Sequence, residues 1–220
     1  MKTLPTLNTV LHGDCLDVLK KFPSESVDFV LTDPPYLTSY KPRDGRTLRN
    51  DDNGAWVRPA FAELFRVLRK DSFCVTFYGW PMADVFVSAF REAGFRPISH
   101  LVFIKSYCSY TGYTKAQHEV AYVLAKGSPR RPAHPVSDVL DWSYTGNDAH
   151  PTQKPVSVLT PLVESFSKPG DIVLDPFCGS GSSLVAAEKL GRKYIGIEID
   201  RAYAVKAAAR LKKPAIGRAA

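Results

Sequence analysis

Short apolar runs alternate along this chain with segments in which apolar residues recur at helical spacing. The apolar runs predict six strands, at residues 27–32, 73–77, 101–104, 120–124, 172–174 and 194–199. The helical spacing predicts five helices, over residues 56–69, 82–93, 156–167, 182–190 and 200–212. Strands that alternate with helices favour an α/β fold built on a mainly parallel sheet.

One stretch, residues 106–147, breaks this alternation. It is rich in proline, glycine, serine and tyrosine, and it contains only one obvious strand, at residues 120–124. Loops laid over a rigid scaffold are where recognition usually occurs. We therefore interpret the stretch as a small, loop-rich recognition insertion in a single domain that spans residues 1–220.

Composition then narrows the classes of function. The 220 residues include 29 Lys and Arg against 22 Asp and Glu, a net charge of +7 that permits a nucleic-acid partner. There is no run of eighteen apolar residues and no apolar core near the N-terminus, so we expect no membrane span and a cytoplasmic location. The four cysteines form no CxxC pair, so neither disulfides nor a bound metal is predicted.

A glycine-containing loop, DPFCGSG at residues 175–181, separates a predicted strand from a predicted helix. Ligands of open α/β sheets bind at this edge, and Glu198 at the end of the next strand can accept both hydroxyls of a ribose. A plain strand-to-helix turn would carry the same glycines. A dinucleotide site is a second alternative, but Ser183 replaces its third glycine, and Asp175 would repel a pyrophosphate. A cofactor with a cationic centre, such as S-adenosylmethionine, suits the loop better.

The tetrapeptide Asp33-Pro34-Pro35-Tyr36 follows another predicted strand. Because the prolines fix the backbone, the carboxylate and the tyrosine ring are held with little freedom. The Asp33 carboxylate and the Pro34 carbonyl can each accept one N–H of an exocyclic amine, and Tyr36 can stack on the base. A base reaches such a pocket only by leaving the duplex stack. The alternative is a surface Pro-Pro turn with an exposed aspartate.

These two motifs resemble those of the S-adenosylmethionine-dependent amino-methyltransferases of DNA, which modify adenine N6 or cytosine N4. The tetrapeptide precedes the glycine loop, as in the β group of these enzymes, a circular permutation of the usual methyltransferase order. HGDC at residues 12–15 and HPTQKP at residues 150–155 resemble two further family segments. The resemblance implies a Rossmann-like, seven-stranded, mostly parallel sheet with helices on both faces and one antiparallel strand.

The resemblance also implies the roles of individual residues. The catalytic residues are Asp33, Pro34, Pro35 and Tyr36. Thr152 and Lys154 suit the carboxylate of the cofactor's methionine end. The implied cofactor-binding residues are Asp14, Cys15, His150, Thr152, Lys154, Asp175, Phe177, Cys178, Gly179, Ser180, Gly181 and Glu198.

The aspartate in front of Pro-Pro-Tyr is more typical of the adenine enzymes than of the cytosine enzymes. The resemblance therefore implies methyl transfer to N6 of adenine in double-stranded DNA. N4 of cytosine is the nearest alternative. A catalytically silent nucleic-acid-binding subunit is an alternative of another class, and RNA is an alternative substrate.

Two segments are candidates for contact with DNA. A basic loop carries Lys41, Arg43 and Arg46 just after the catalytic motif, where the alternative is a solvated loop. A second segment carries Tyr110, Tyr113, Lys115 and Gln117, where the alternatives are a tyrosine-rich surface loop or a dimer contact. A recognition region this small would benefit from a homodimer.

Overall fold

We describe residues 2–38, 51–110, 113–142 and 154–212 of a computed structural model. In chain order, the strands are β1 (Thr9–His12), β2 (Val27–Thr32), β3 (Leu68–Phe77), β4 (Arg96–Tyr110), β5 (Lys115–Lys126), β6 (Val139–Trp142), β7 (Ile172–Asp175) and β8 (Lys193–Glu198). The helices are α1 (Cys15–Leu19), α2 (Val57–Val67), α3 (Ala83–Ala93), α4 (Val156–Phe166), α5 (Ser182–Lys189) and α6 (Arg201–Leu211). A short 3₁₀ turn, Trp80–Met82, precedes α3.

The strands form one sheet in the order β1-β8-β7-β2-β3-β5-β4-β6. Every neighbouring pair is parallel except the two that involve β5, which runs antiparallel to β3 and to β4. The α/β class, the mostly parallel sheet and the single antiparallel strand are therefore confirmed. The described residues form eight strands, whereas the resemblance implies seven.

Both faces of the sheet are covered by helices, and strand alternation divides the apolar residues between them. In β2, Val30 joins a core with α1, α2 and α3, whereas Phe29 and Leu31 join a core with α4 and α5. A strand buried on both faces reads as a continuous apolar run, which is why the sequence predicts β2 without ambiguity.

The two sequence motifs follow neighbouring strands. Strand β2 pairs directly with β7, so Asp33 and Asp175 emerge at the same carboxyl edge of the sheet. Strands β1 and β8 reach that edge too, where His12 pairs with Glu198. The chain order along the sheet reverses between β7 and β2, the position at which open α/β sheets bind ligands.

The stretch interpreted as mostly loops, residues 106–147, contains more strand than its composition indicates. Strand β4 continues to Tyr110 and β5 begins at Lys115, so the two form a long hairpin. Strand β6 pairs with β4 and accounts for the eighth strand. Its four residues, VLDW, are too short and too mixed to stand out as an apolar run. Among the described residues of this stretch, the longest irregular segment is 127–138.

No helix in the described ranges is long and apolar enough to cross a membrane.

Candidate active site

The turn after β2 holds Asp33 and Tyr36 against each other. The Tyr36 hydroxyl lies 2.9 Å from Asp33 Oδ1 and can donate to it. Gly79, after β3, packs on Tyr36 so closely that a Cβ atom there would be 2.8 Å from Tyr36 Cβ. The position of the ring is therefore fixed by its own turn and by the adjacent strand end.

Lys154, which precedes α4, completes this group. Its Nζ atom donates to Asp33 Oδ2 at 2.7 Å and to the Tyr36 hydroxyl at 3.0 Å. Its side chain is only 8% exposed, and its ammonium also lies 5.0 Å from the centre of the Phe77 ring. The described hydrogen bonds of Lys154 are thus both made with the turn that carries Asp33 and Tyr36. Its contact with a cofactor carboxylate stays a prediction.

Two further charged residues belong to the site although sequence reasoning did not select them. Glu119 Oε2 lies 3.2 Å from the Tyr36 hydroxyl, and Lys105 forms an ion pair with Glu119 Oε1. Glu119 sits two residues before Ala121, the partner of Phe77 at the end of β3, and so at the carboxyl edge. The available signal was weak: an acidic residue directly before an apolar strand.

Burial and charge oppose each other in this cluster. Burial raises the pKa of Asp33, and the ammonium of Lys154 offsets part of that rise. Burial also raises the pKa of Tyr36 well above its usual value, and the carboxylates of Asp33 and Glu119 add to the effect. Tyr36 therefore stays a neutral hydroxyl that can donate only one hydrogen bond.

Asp175 uses its carboxylate inside the protein. It accepts hydrogen bonds from the Thr32 hydroxyl at 3.1 Å and the Phe177 amide at 3.0 Å, and a third from the Ser183 hydroxyl. Burial raises the pKa of Asp175 to about 7, although these three bonds lower it. The residue ties β7 to β2 and to the start of α5, and so shapes the glycine loop.

Glu198, at the end of β8, reaches across to the same loop. Its carboxylate accepts the Gly179 amide and the Asp200 amide, each at 2.8 Å. Burial raises the pKa of Glu198, and the two amides oppose the rise. The amide of Gly179, which would face the phosphate in a phosphate-binding loop, is thus already occupied by a carboxylate.

The rest of the glycine loop is packed between helices and strands. Cys178 is buried and its amide donates to Ile197 O at 3.0 Å, while Phe177 meets the Trp56 ring edge-on at 4.9 Å. Ser180 is also buried. Gly181 is the N-cap of α5 and has φ +82°, a left-handed conformation that favours glycine.

The segment at residues 12–15 begins beside Glu198, with which His12 pairs across β1 and β8. The Gly13 amide donates to Glu198 O at 2.9 Å. Asp14 caps α1 by accepting the Leu16 amide at 2.8 Å. Burial, reinforced by the Asp14 carboxylate, raises the pKa of Cys15 to about 12, so this thiol is not poised as a nucleophile.

The remaining predicted residues divide into two groups. His150, Thr152, Lys41, Arg43 and Arg46 lie outside the described residues, as does the side chain of Tyr110. Tyr113, Lys115 and Gln117 are exposed on the β4–β5 hairpin, with Tyr113 98% exposed. Because side chains alternate along a strand, Lys115 and Gln117 share a face of β5 with Glu119.

Comparison with known proteins agrees with the resemblance. The sequence profile of the N6/N4 methyltransferase family, described as DNA methylase, matches residues 27–209. YubD of Escherichia coli K12, named as a candidate methylase, is 51% identical over 90% of this chain and 87% of its own. YhdJ of the same organism, named a DNA adenine methyltransferase, is 32% identical over 89% of this chain and 79% of its own.

A solved structure extends the likeness to three dimensions. TTHA0409, a candidate DNA modification methylase of Thermus thermophilus, was crystallised with S-adenosyl-L-methionine. It is 26% identical and superimposes with a TM-score of 0.71, covering 92% of each chain.

Asp175→Asn should change how stability depends on pH. In the folded protein the Asp175 carboxyl group keeps its proton up to about pH 7. In the unfolded chain the same group loses the proton near the ordinary pKa of an aspartate. Its contribution to stability therefore falls as pH rises from about 4 to 7. The asparagine amide oxygen can accept from Thr32 and Phe177, its NH₂ group can donate to the Ser183 hydroxyl as a protonated carboxyl would, and the side chain carries no charge. The free energy of unfolding of Asp175→Asn, measured relative to that of the wild type, should therefore rise by about 2–3 kcal/mol between pH 5 and pH 8.

Urea unfolding at the two pH values measures this difference. Asp17→Asn, which changes an exposed aspartate of α1, is the matched control and should follow the wild type. An Asp175→Asn difference that is the same at both pH values would contradict a neutral buried carboxyl.

Proposed function

Because the chain belongs to the DNA methylase family, we propose that it transfers a methyl group from S-adenosylmethionine to the N6 amine of adenine in double-stranded DNA. The observation that carries this proposal is the meeting of the two motifs. Asp33 and Tyr36 follow β2, the glycine loop follows β7, and these strands are hydrogen-bonded neighbours. An amine acceptor and a cofactor loop therefore share one edge of the sheet.

The loop's own contacts support a cofactor without phosphates. The Gly179 amide is held by Glu198, and the carboxyl group of Asp175 lies behind the loop and holds the Phe177 amide. Because these amides are already engaged, the loop disfavours a pyrophosphate, and the negative charge of Glu198 favours a cation. S-adenosylmethionine would supply a methyl group bound to a positively charged sulfur. We propose that Glu198 accepts the ribose hydroxyls, that Asp175 and Asp14 shape the pocket, and that Phe177 to Gly181 line it.

The Asp33 carboxylate is suited to accept a hydrogen bond from the target amine. Lys154 holds its carboxylate in place at 2.7 Å and favours the charged form. A carboxylate and the Pro34 carbonyl can each accept an N–H, which aims the nitrogen lone pair away from both. An exocyclic amine is a weak nucleophile because its lone pair is delocalised, so this positioning is the main task of the site. Tyr36 offers a ring on which the base can stack.

The choice of adenine rests on two indications. Asp33 is the residue before Pro-Pro-Tyr, and the relative YhdJ is named a DNA adenine methyltransferase. The family also includes N4-cytosine chemistry, which needs the same acceptor for its amine. A silent binding subunit is disfavoured because the buried cluster of Asp33, Tyr36 and Lys154 is costly to maintain without a use.

The hairpin provides a surface for the DNA. From Glu119 to Lys115, β5 extends about 13 Å beyond the catalytic cluster at roughly 3.3 Å per residue. We propose that Lys115, Gln117 and Tyr113, with Tyr110, contact DNA from this hairpin, within the recognition region at residues 106–147. The target base must then leave the stack to reach Asp33. A homodimer would enlarge this recognition surface.

Nucleoside analysis tests the proposed reaction. Unmethylated duplex DNA is incubated with the protein and S-adenosylmethionine, digested, and resolved by mass spectrometry. N6-methyladenine is the expected product. N4-methylcytosine would overturn the choice of base, and the absence of any methylated base in DNA would overturn the proposal, with duplex RNA assayed in parallel.

Two isosteric variants should separate chemistry from cofactor binding. Asp33→Asn removes the acceptor charge, so we expect kcat to fall by about 100-fold or more, with cofactor Kd little changed. Glu198→Gln weakens an acceptor of two ribose hydroxyls, so calorimetry should show cofactor affinity reduced by about tenfold or more. Glu92→Gln, on an exposed glutamate of α3, is the control. Equal effects of Asp33→Asn and Glu198→Gln on both quantities would contradict this division of roles.

Replacing Lys41, Arg43 and Arg46 with alanine should reduce the salt dependence of DNA binding. If each contacts a phosphate, the slope of log Kd against log salt should fall by about 2–3. The matched control replaces Lys168, Lys189 and Lys193, three exposed lysines at the opposite edge of the sheet. An unchanged slope in the variant that lacks Lys41, Arg43 and Arg46 would mean that these side chains are solvated and contact no phosphate.

A further inference from the structure

The Tyr36 hydroxyl has three polar neighbours but only one hydrogen to donate. It lies 2.9 Å from Asp33 Oδ1, 3.2 Å from Glu119 Oε2 and 3.0 Å from Lys154 Nζ. An ammonium group only donates, so the hydroxyl oxygen accepts from Lys154. The single hydroxyl hydrogen must then go to Asp33 or to Glu119, and it cannot fully satisfy both.

Glu119 is a second fixed acceptor for the Tyr36 hydroxyl hydrogen. Lys105 forms an ion pair with its other carboxylate oxygen, and β5 places it on the face that carries Ala121 and Val123. Burial would raise its pKa, but the ammonium groups of Lys154 and Lys105 more than offset this, so the pKa of Glu119 is lowered. It therefore remains an ionised acceptor beside Tyr36.

The two acceptors are not equivalent for the reaction. Asp33 Oδ2 already accepts from Lys154, so a hydroxyl hydrogen on Oδ1 places one hydrogen bond on each oxygen of Asp33 and weakens Oδ1 as an acceptor for a further N–H. The incoming amine needs a well-directed lone pair on this carboxylate. If the Tyr36 hydroxyl turns to Glu119, Oδ1 becomes free, and no proton has to move between heavy atoms.

We propose that Glu119 is a positioning residue for methyl transfer: it takes the Tyr36 hydroxyl hydrogen bond when the target base enters, which releases Asp33 Oδ1 to accept the amine. The proposal rests on the proposed function, because it assigns Asp33 to the amine. Lys105 has a supporting role, since it orients the Glu119 carboxylate from the side opposite Tyr36.

Glu119→Gln is the variant that tests this role. Lys105 attracts the amide oxygen of the glutamine, so the amide NH₂ group faces the Tyr36 hydroxyl and repels its hydrogen. The hydroxyl is then confined to Asp33. We expect kcat to fall by about tenfold or more. The KM for S-adenosylmethionine should stay within about twofold, because no cofactor contact changes.

Tyr36→Phe provides the second half of the experiment. Phenylalanine keeps the ring for stacking and removes the hydroxyl that binds Asp33. The double variant should therefore be about as active as Tyr36→Phe alone and more active than Glu119→Gln alone. A merely structural role for Glu119 would instead give the product of the two separate losses.

The pH profile gives an independent readout. The groups that face Asp33 are Lys154 before α4, Tyr36 in the same turn, Glu119 on β5 with Lys105 of β4 behind it, and Asp175 at the end of β7. Removing the negative charge of Glu119 lowers the pKa of Asp33. The acid limb of kcat against pH should thus move to lower pH by about half a unit. A disturbance of packing alone would leave this limb in place.

Glu92→Gln, the same chemical change on an exposed glutamate that pairs with Arg58, is the control and should match the wild type in both assays. An active wild type with additive losses in the double variant would overturn this proposal alone. An unmoved acid limb in Glu119→Gln would do the same. A wild type that methylates no base would overturn the proposed function, and this proposal with it.

Discussion

The neutralisation of charge in a nearly buried site is the constraint on which this structure depends. Two carboxylates, Asp33 and Glu119, face two ammonium groups, Lys154 and Lys105, around one tyrosine hydroxyl. Any one of these charges alone would be costly to bury, and removing one partner leaves another uncompensated. The cluster thus fixes how β2, β4, β5 and the segment before α4 meet at the carboxyl edge.

A second arrangement of carboxylates supports the neighbouring loop. Asp175 and Glu198 bond to backbone amides and hydroxyls around the loop, and neither forms an ion pair within the described part of the chain. Burial raises the pKa of both. The Asp33 side of the edge is therefore balanced by lysines, whereas the carboxyl groups beside the glycine loop have no lysine partner among the described residues. This asymmetry suits a neutral amine on one side and a cation on the other.

The parallel sheet makes both sides meet. Strands β2 and β7 are far apart in the chain, yet they are neighbours because each is apolar on both faces and packs between two helical layers. Their loops must then open at the same edge. The antiparallel β5 brings Glu119 to this edge from the opposite direction, and its first residues continue as the hairpin that we propose contacts DNA.

The α/β class, the central strands and the residues of both motifs were predictable from the chain alone, because apolar runs, helical spacing and the positions of proline and glycine are local signals. The sequence did not reveal β6, whose four mixed residues carry no periodicity, nor the length of the β4–β5 hairpin. The grouping of Glu119 and Lys105 with Asp33, and the hydrogen bonds of Lys154 to Asp33 and Tyr36, became visible only in the folded chain. Strand register and long-range charge pairing bring these residues together, and no local pattern encodes either.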